Sequence, residues 1–398
     1  MHVISSNLHS EVAFEAMQEP FIKAVVASAG DIPEDIIYVR TGGTEGIFKE
    51  QFFRGGKLCI PEPVRLLTCG KSNSLAASME ILSFLNLHGC RGEILHGSPE
   101  YIAGRIKNPG DVPSGEALIS EVNPGAILFG QRLGVVGKPS DWLISSDVDK
   151  TRAKQVLGLE LVDIPMHDFL TEWALSGEPL LALPELNVPR YGKPISNEDL
   201  VVSKRVYASL RNIIRDRCLN GLTIRCFDLL TSIHNTGCMA LALLNSEGIP
   251  ATCEGDVPAM ISMAIAQRLT GCSGFQANLS QIDGDDLLFA HCTVPLSMTR
   301  SWVYDTHFES GIGVAVHGEI PEGPVTIFKL SPDFRKAFIF EAEISSNDYQ
   351  DNLCRTQIHV HAPGAAPYFL TSSIGNHHII IPGHVARDLK RLLGEEGD

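Results

Sequence analysis

The stretch PATCEGDVPAMISMAIAQRLTG, residues 250–271, decides the fold class. It opens as a short strand, Pro250 to Cys253, crosses Glu254, Gly255 and Asp256, and continues with Met260, Ile261, Met263, Ala264, Ile265 and Leu269 at helical spacing. A strand that runs straight into a helix is one unit of a parallel α/β sheet, and such sheets hold their ligands where the strands end. Two acids between otherwise buried elements therefore need a purpose. Asp256 is well placed as the N-cap of the helix, with Pro258 in its first turn. Glu254 has no such local duty and stands where a working carboxylate belongs, just before a helix N-terminus that favours negative charge.

The same alternation fills the chain's first third: DIIYVRTGG (35–43) then TEGIFKEQF (44–52), VRLLTCG (64–70) then NSLAASMEILSFLNLHG (73–89), GEILHGS (92–98) then PEYIAGRI (99–106). This pattern predicts a doubly wound parallel sheet. After a Pro/Gly-rich loop around Pro109 to Gly115, a second parallel unit follows: GAILFGQRLGVVGKPSDWLISS, ELVDIP, a long helix across Glu198 to Cys218, LTIRCFD, NTGCMALALLNSEG and the opening stretch. From about Leu287 the texture changes to short β-rich runs separated by Gly and Pro: LLFAHCTVP, GIGVAVHGEI, GPVTIFKL, KAFIFEAEI, TQIHVHA, APYFLTS and HHIIIPG, closed by a helix in HVARDLKRLLG. Those predict a small antiparallel barrel or sandwich. The expected units span 1–122, 123–285 and 286–398.

Composition bounds the function. With 398 residues, 44% apolar and 20% charged, the chain has material for two or three cored domains. A net charge of −15, spread along the chain, argues against a nucleic-acid surface and suits metal cations and small molecules. Ten cysteines without a CxxC pair read as reduced, small core residues. The opening MHVISSNLHSEV lacks the features of a leader, and no apolar run reaches membrane-spanning length, so the chain is expected in the cytoplasm.

Two Gly-Lys sequences, CGKSNS (69–74) and VGKPSD (136–141), are not phosphate loops. The glycine required five residues earlier is Arg65 in one and Arg132 in the other. They read as strand-to-helix turns, with Ser72 or Asn73 capping the first helix. RTGGTEG (40–46) is either a ligand-facing turn of backbone N–H groups or a plain tight turn. His291 inside one strand, and His377 and His378 at the start of another, would each alone be ordinary core histidines. Converging with Glu254, they would make a mixed oxygen/nitrogen site suited to manganese or a related divalent ion.

The ordered motifs TGGTEG, SNSLAASMEIL, CEGDVPAMISMAIAQRLTG, FQANLSQID, AHCTVP, THFESGIGVAVHGEIPEGPVTIF and GNHHI make the chain similar to the L-fucose and L-arabinose isomerases and their relatives. The resemblance covers most of the chain. It implies two Rossmann-like parallel α/β domains followed by a C-terminal β-barrel, a divalent metal cofactor, usually Mn2+, a small sugar substrate, and a homo-oligomer, a trimer or hexamer with sites between subunits. Carried over by position, it implies that Glu254 binds metal and moves a proton, and that His291 and either His377 or His378 bind metal. The second metal carboxylate of the family falls on Asn278, a departure that removes one of two expected anionic groups. An amide oxygen still coordinates a cation but takes no proton at neutral pH.

Isomerisation through an enediol(ate) needs a base, an acid and positive charge beside O1 and O2. Either Glu254 serves both carbons, or another acid such as Asp256 or Asp283 substitutes, or the chemistry differs. His307 and Glu309, read as alternating on one face of a strand, either line the sugar site or belong to a polar barrel face. Arg225 either touches substrate or pairs with Asp228, and Thr44 belongs to the substrate contacts expected of the first domain. The competing reading is a non-catalytic sugar-binding or regulatory protein on the isomerase scaffold.

Overall fold

A computed structural model describes residues 1–6, 11–110, 113–179 and 194–395; positions 111 and 112 of the expected inter-domain loop lie outside the described residues. A parallel sheet forms in the first third from His2–Ile4, Ile36–Val39, Val64–Leu67 and Gly92–Leu95, adjacent in that order. All four residues of Ile36–Val39 are buried, which is why this strand reads as an unbroken apolar run. The sequence reading had no strand at His2–Ile4 and no helix at Glu11–Ala29.

The second parallel sheet has the order Ala251–Thr252, Gly221–Ile224, Arg132–Val136, Glu160–Ile164. Its strand order reverses at Arg132–Val136, so a crevice opens beyond that strand's end. The loop that follows carries Trp142.

Six antiparallel strands close into a barrel in the order Gly323–Leu330, His378–Pro382, Phe275–Asp283, Asp286–His291, Thr356–His361, Lys336–Asp348, with the last pairing back to the first. Phe275–Asp283, counted by sequence with the second α/β unit, thus pairs inside this barrel. DGDD, residues 283–286, is the turn that joins it to Asp286–His291. APYFLTS is not a strand: Tyr368–Ser372 is a single helical turn, in which Tyr368 stacks on Phe338 with ring centroids 3.7 Å apart. Aromatic packing here overrides a strand-like composition.

The helix Val257–Thr270 is buried over residues 257–266, with Met260, Ile261 and Ile265 in one core with Phe328, Ile379 and Ile381 of the barrel. A helix apolar on every side must be covered on every side, and here the second sheet and the barrel do it. Its Gly271 ends it in the left-handed conformation, the usual role of glycine there.

The turn that delivers Glu254 is strained. Glu254 has φ 65° and Gly255 φ 71°, two left-handed residues in succession. The turn is pinned by Ser140 N donating to the Glu254 carbonyl at 2.9 Å and Gly255 N to the Ile224 carbonyl at 3.0 Å. A Cβ at Gly255 would stand 2.6 Å from the Lys138 carbonyl oxygen. Gly255→Ala should therefore lower stability by about 1–3 kcal/mol, read as a lower urea midpoint at unchanged slope. A non-glycine residue held left-handed costs a similar amount, and the place where such a cost persists is a site.

Candidate metal and substrate site

Glu254, with 13% of its side chain exposed, lines a narrow cavity. Gly42, Glu45 and Asn73 reach the cavity from the first α/β unit, Trp142 and Phe227 from the second, and Asn278, Glu309 and Asn376 from the barrel side. Three segments far apart in the chain thus share one wall.

Glu254, His291 and His377 each offer one ligand atom, and these atoms lie within 4.8 Å of one another. The Trp142 indole N–H donates to Glu254 Oε2 at 2.6 Å, which fixes the carboxylate and leaves Oε1 facing His377 Nε2 at 3.4 Å. That Nε2 is buried without a hydrogen-bond partner. One carboxylate oxygen and two imidazole nitrogens are a donor set for manganese, zinc and similar divalent ions, so the residues fit the cofactor the resemblance implies.

Asp256 does two jobs. Its Oδ1 accepts from Ala259 N at 2.7 Å, the expected cap, while Oδ2 lies 2.8 Å from His377 Nδ1. A carboxylate on the far nitrogen of a histidine orients the ring and raises the basicity of the near one. Burial pushes the His377 pKa down, but the charges of Glu254 and Asp256 and the hydrogen bond to Asp256 outweigh it and hold it up at about 10. His377 must lose that proton to serve as a ligand, so metal binding is linked to pH. His291 is the opposite case: burial and the charge of His377 lower it to about 3, leaving a neutral imidazole with a lone pair to offer. Burial raises Glu254, yet His377, His291 and the Trp142 donor more than offset it, and the carboxyl lies below its usual range.

His378 does not join this group. His377 stands just before the strand His378–Pro382, whose first residue turns away from the cluster: His378 Nε2 sits 2.9 Å from the Tyr368 hydroxyl among Phe338 and Phe369. Asn278 reaches the cavity, its Oδ1 accepting from Asn376 Nδ2 at 2.8 Å. Glu309 is there too, accepting from Asn73 Nδ2 at 2.8 Å. Neither His307 nor Glu309 sits on a strand: after Ser301–Asp305 the chain turns, with Gly311 N bonding the His307 carbonyl at 2.8 Å. His307 packs edge-on against Phe227, its Nδ1 3.0 Å from the Ser310 hydroxyl. Arg225 pairs with Asp228 at 2.9 Å and Asp141 at 2.8 Å, taking the structural of its two readings. Thr44 is buried, its hydroxyl donating to the Thr41 carbonyl at 2.8 Å, and is not part of the cavity wall. Asn73 heads its helix with φ 57° and makes no side-chain cap; its amide serves Glu309 instead.

Sequence reading missed Trp142, Glu45, Asn73, Asn376 and Glu80. Glu80 is an acid inside the apolar helix Ser74–Leu87, and that contrast was its signal. Fully buried, it accepts from Ser145 N at 2.8 Å, the Ser146 hydroxyl at 3.0 Å and Asn376 N at 3.1 Å, joining all three units just behind the site.

Burial pushes the Glu309 carboxyl from 4.5 to about 7, His307 opposing and Glu254 adding to the rise. A raised folded-state pKa gives stability that is full below 4.5 and is lost as pH rises through about 7. Glu309→Gln should flatten the fall in stability between those limits, measured as urea midpoints at pH 4.5 and 8 against the parent protein.

No protein-family model matches this sequence. Curated relatives are nonetheless similar to it. One from Alkalicoccus urumqiensis is 20% identical over 275 residues, 65% of this chain and 62% of the relative. One from Clostridium sp. (strain MSTE9) is 29% identical over 143 residues, 35% and 30% of the two chains. One from Priestia aryabhattai is 25% identical over 244 residues, 56% and 53%. All three are named sulfoquinovose isomerase. The matched segments span less than two thirds of each relative's length. Among the described residues, no helix is long and apolar enough to cross a membrane.

Proposed function

We propose that the chain is a divalent-metal-assisted aldose–ketose sugar isomerase working through an enediol(ate). The observation that carries this reading is the convergence of Glu254, His291 and His377 ligand atoms within 4.8 Å beside a cavity. The names of the relatives agree with the sugar isomerase part of this reading.

A divalent ion held by Glu254, His291 and His377 supplies positive charge for the substrate oxygens of C1 and C2 when bound. Glu254 takes the C2 proton of an aldose and returns it to C1, one base serving both carbons. The Trp142 N–H holds that carboxylate in one orientation throughout. A hydroxyl proton must also leave O2 and another reach O1, and Glu309, held at about 7, is the acid suited to move it near neutral pH. The two other acids considered are less suited. Asp256 has both oxygens engaged and is fully buried, and Asp283 is exposed at the end of Phe275–Asp283. Asn278 serves as a neutral contact whose oxygen is already steadied by Asn376.

The test is the metal content of the purified protein together with deuterium uptake from heavy water into a panel of aldoses and ketoses. Bound metal with exchange at C1 or C2 is the expected result. A metal-loaded protein that exchanges no sugar would leave a binding or regulatory role on the isomerase scaffold.

A further inference from the structure

We infer that this site selects uncharged sugars and turns away those carrying a sulfonate or phosphate, because its wall offers unmet hydrogen-bond acceptors and acids where such a group would lie. The inference rests on the isomerase reading and narrows its substrate class. It separates this chain from relatives whose name specifies a sulfonated sugar.

The wall is rich in acceptors. Asn73 Oδ1 and Asn376 Oδ1 are buried with no hydrogen-bond partner, and both residues line the cavity. Asn376 is 6% exposed. The orientation of both amides is fixed by what their nitrogens do: Asn73 donates to Glu309 Oε1 and Asn376 to Asn278 Oδ1, each at 2.8 Å. Their oxygens are therefore left for the ligand. Buried acceptors without donors are costly, and a ligand that binds here must bring donors. Sugar hydroxyls do so, whereas the oxygens of a sulfonate only accept.

The charge argues the same way. Among the described residues, the wall holds Glu45, Glu254 and Glu309 and no Lys or Arg. Burial, and beside it the charges of Glu80 and Glu254, push the Glu45 carboxyl well above its usual range, and burial with Glu254 pushes Glu309 to about 7. The cavity thus resists negative charge on its own acids. A carboxylate escapes that resistance by taking a proton, but a sulfonate, the anion of a strong acid, cannot. Three basic side chains of the surrounding segments are committed elsewhere: Arg225 to Asp141 and Asp228, Arg355 to the Thr306 carbonyl and Asp305, Lys329 to the His377 carbonyl. A metal at Glu254 offsets charge at the C1–C2 end of the sugar. A sugar held with C1 and C2 at that metal would turn its far end toward the remainder of the wall, which includes Glu45, Asn73 and Glu309.

The experiment uses the full chain loaded with manganese and compares a hexose, its 6-deoxy, 6-sulfonate and 6-phosphate counterparts, by deuterium exchange and by equilibrium binding. The expected result is a preference for the neutral sugars of at least about 100-fold in kcat/KM, since unpaired like charge costs several kcal/mol. Glu309→Gln should narrow that ratio, by about tenfold, with metal content unchanged; a loss of fold alone would move both sugars together. Equal or better handling of the sulfonated or phosphorylated sugar overturns the inference while leaving the isomerase reading standing. If no sugar exchanges, the isomerase reading fails, and binding decides this inference by itself: tighter neutral sugars sustain it, and tighter anionic sugars, or no binding at all, overturn it.

Discussion

Glu254→Gln is expected to lower kcat/KM by about 10³- to 10⁴-fold and to strip most of the divalent metal from the protein. The amide still accepts from the Trp142 indole, so the side chain stays in place, and the loss isolates charge and basicity. Removal of a general base alone costs about 10²- to 10⁴-fold, and this residue is also the anionic member of the ligand set. Its loss also removes the largest influence holding up the His377 pKa, so the imidazole should titrate closer to its ordinary range. Metal analysis after gel filtration and deuterium exchange check both halves. A variant that keeps its metal and its exchange rate would end the assignment of Glu254.

Asp256→Asn should separate the two duties of that side chain. Asparagine caps a helix about as well as aspartate, so the bond from Ala259 N is kept and the change of cap by itself should cost no more than about 1 kcal/mol, the rest of any loss coming from His377. The other oxygen faces His377 Nδ1 and becomes a poor partner, because an amide N–H turned toward that nitrogen disfavours its protonation. Metal affinity should fall by about 10- to 100-fold, the usual cost of losing the carboxylate that orients a ligating histidine. The ion-free protein gives an independent check. His377, raised from 6.5 to about 10, contributes stability that is complete below 6.5 and is lost as pH rises through about 10. In Asp256→Asn that alkaline loss should shrink, as read from unfolding midpoints at pH 6 and 10.

Local spacing carried much of this. The strand-to-helix step at residues 250–271 placed Glu254 at a sheet edge and Asp256 at a cap, and both positions are those of the structure. Alternating units in the first two thirds gave two parallel sheets, and Gly/Pro-punctuated β runs gave the barrel. Where the reading failed, a distant contact had overridden local preference. Tyr368–Ser372 is strand-like in composition but coils to stack Tyr368 on Phe338. His307 and Glu309 share the cavity region through a turn closed by Gly311, not through strand alternation. Asn73 gives its amide to Glu309, 236 positions away, in place of the helix it precedes.

The sequence by itself determined the alternating α/β units, most of the late β runs and a glutamate at a strand end, because each follows from the period at which apolar residues recur along a short segment. Tertiary structure alone decided that His377 and not His378 faces Glu254. His377 lies just before the strand and is held by Asp256, while the barrel register, with His378 opposite Ala277, turns His378 toward Tyr368. It alone decided the character of the cavity wall as well. Glu80 and Asn376 meet across 296 positions, and Asn73 and Asn376 leave their oxygens unmet only once three separate units close over them. A linear pattern records which side chains are present, whereas which of them lack a partner is fixed by packing.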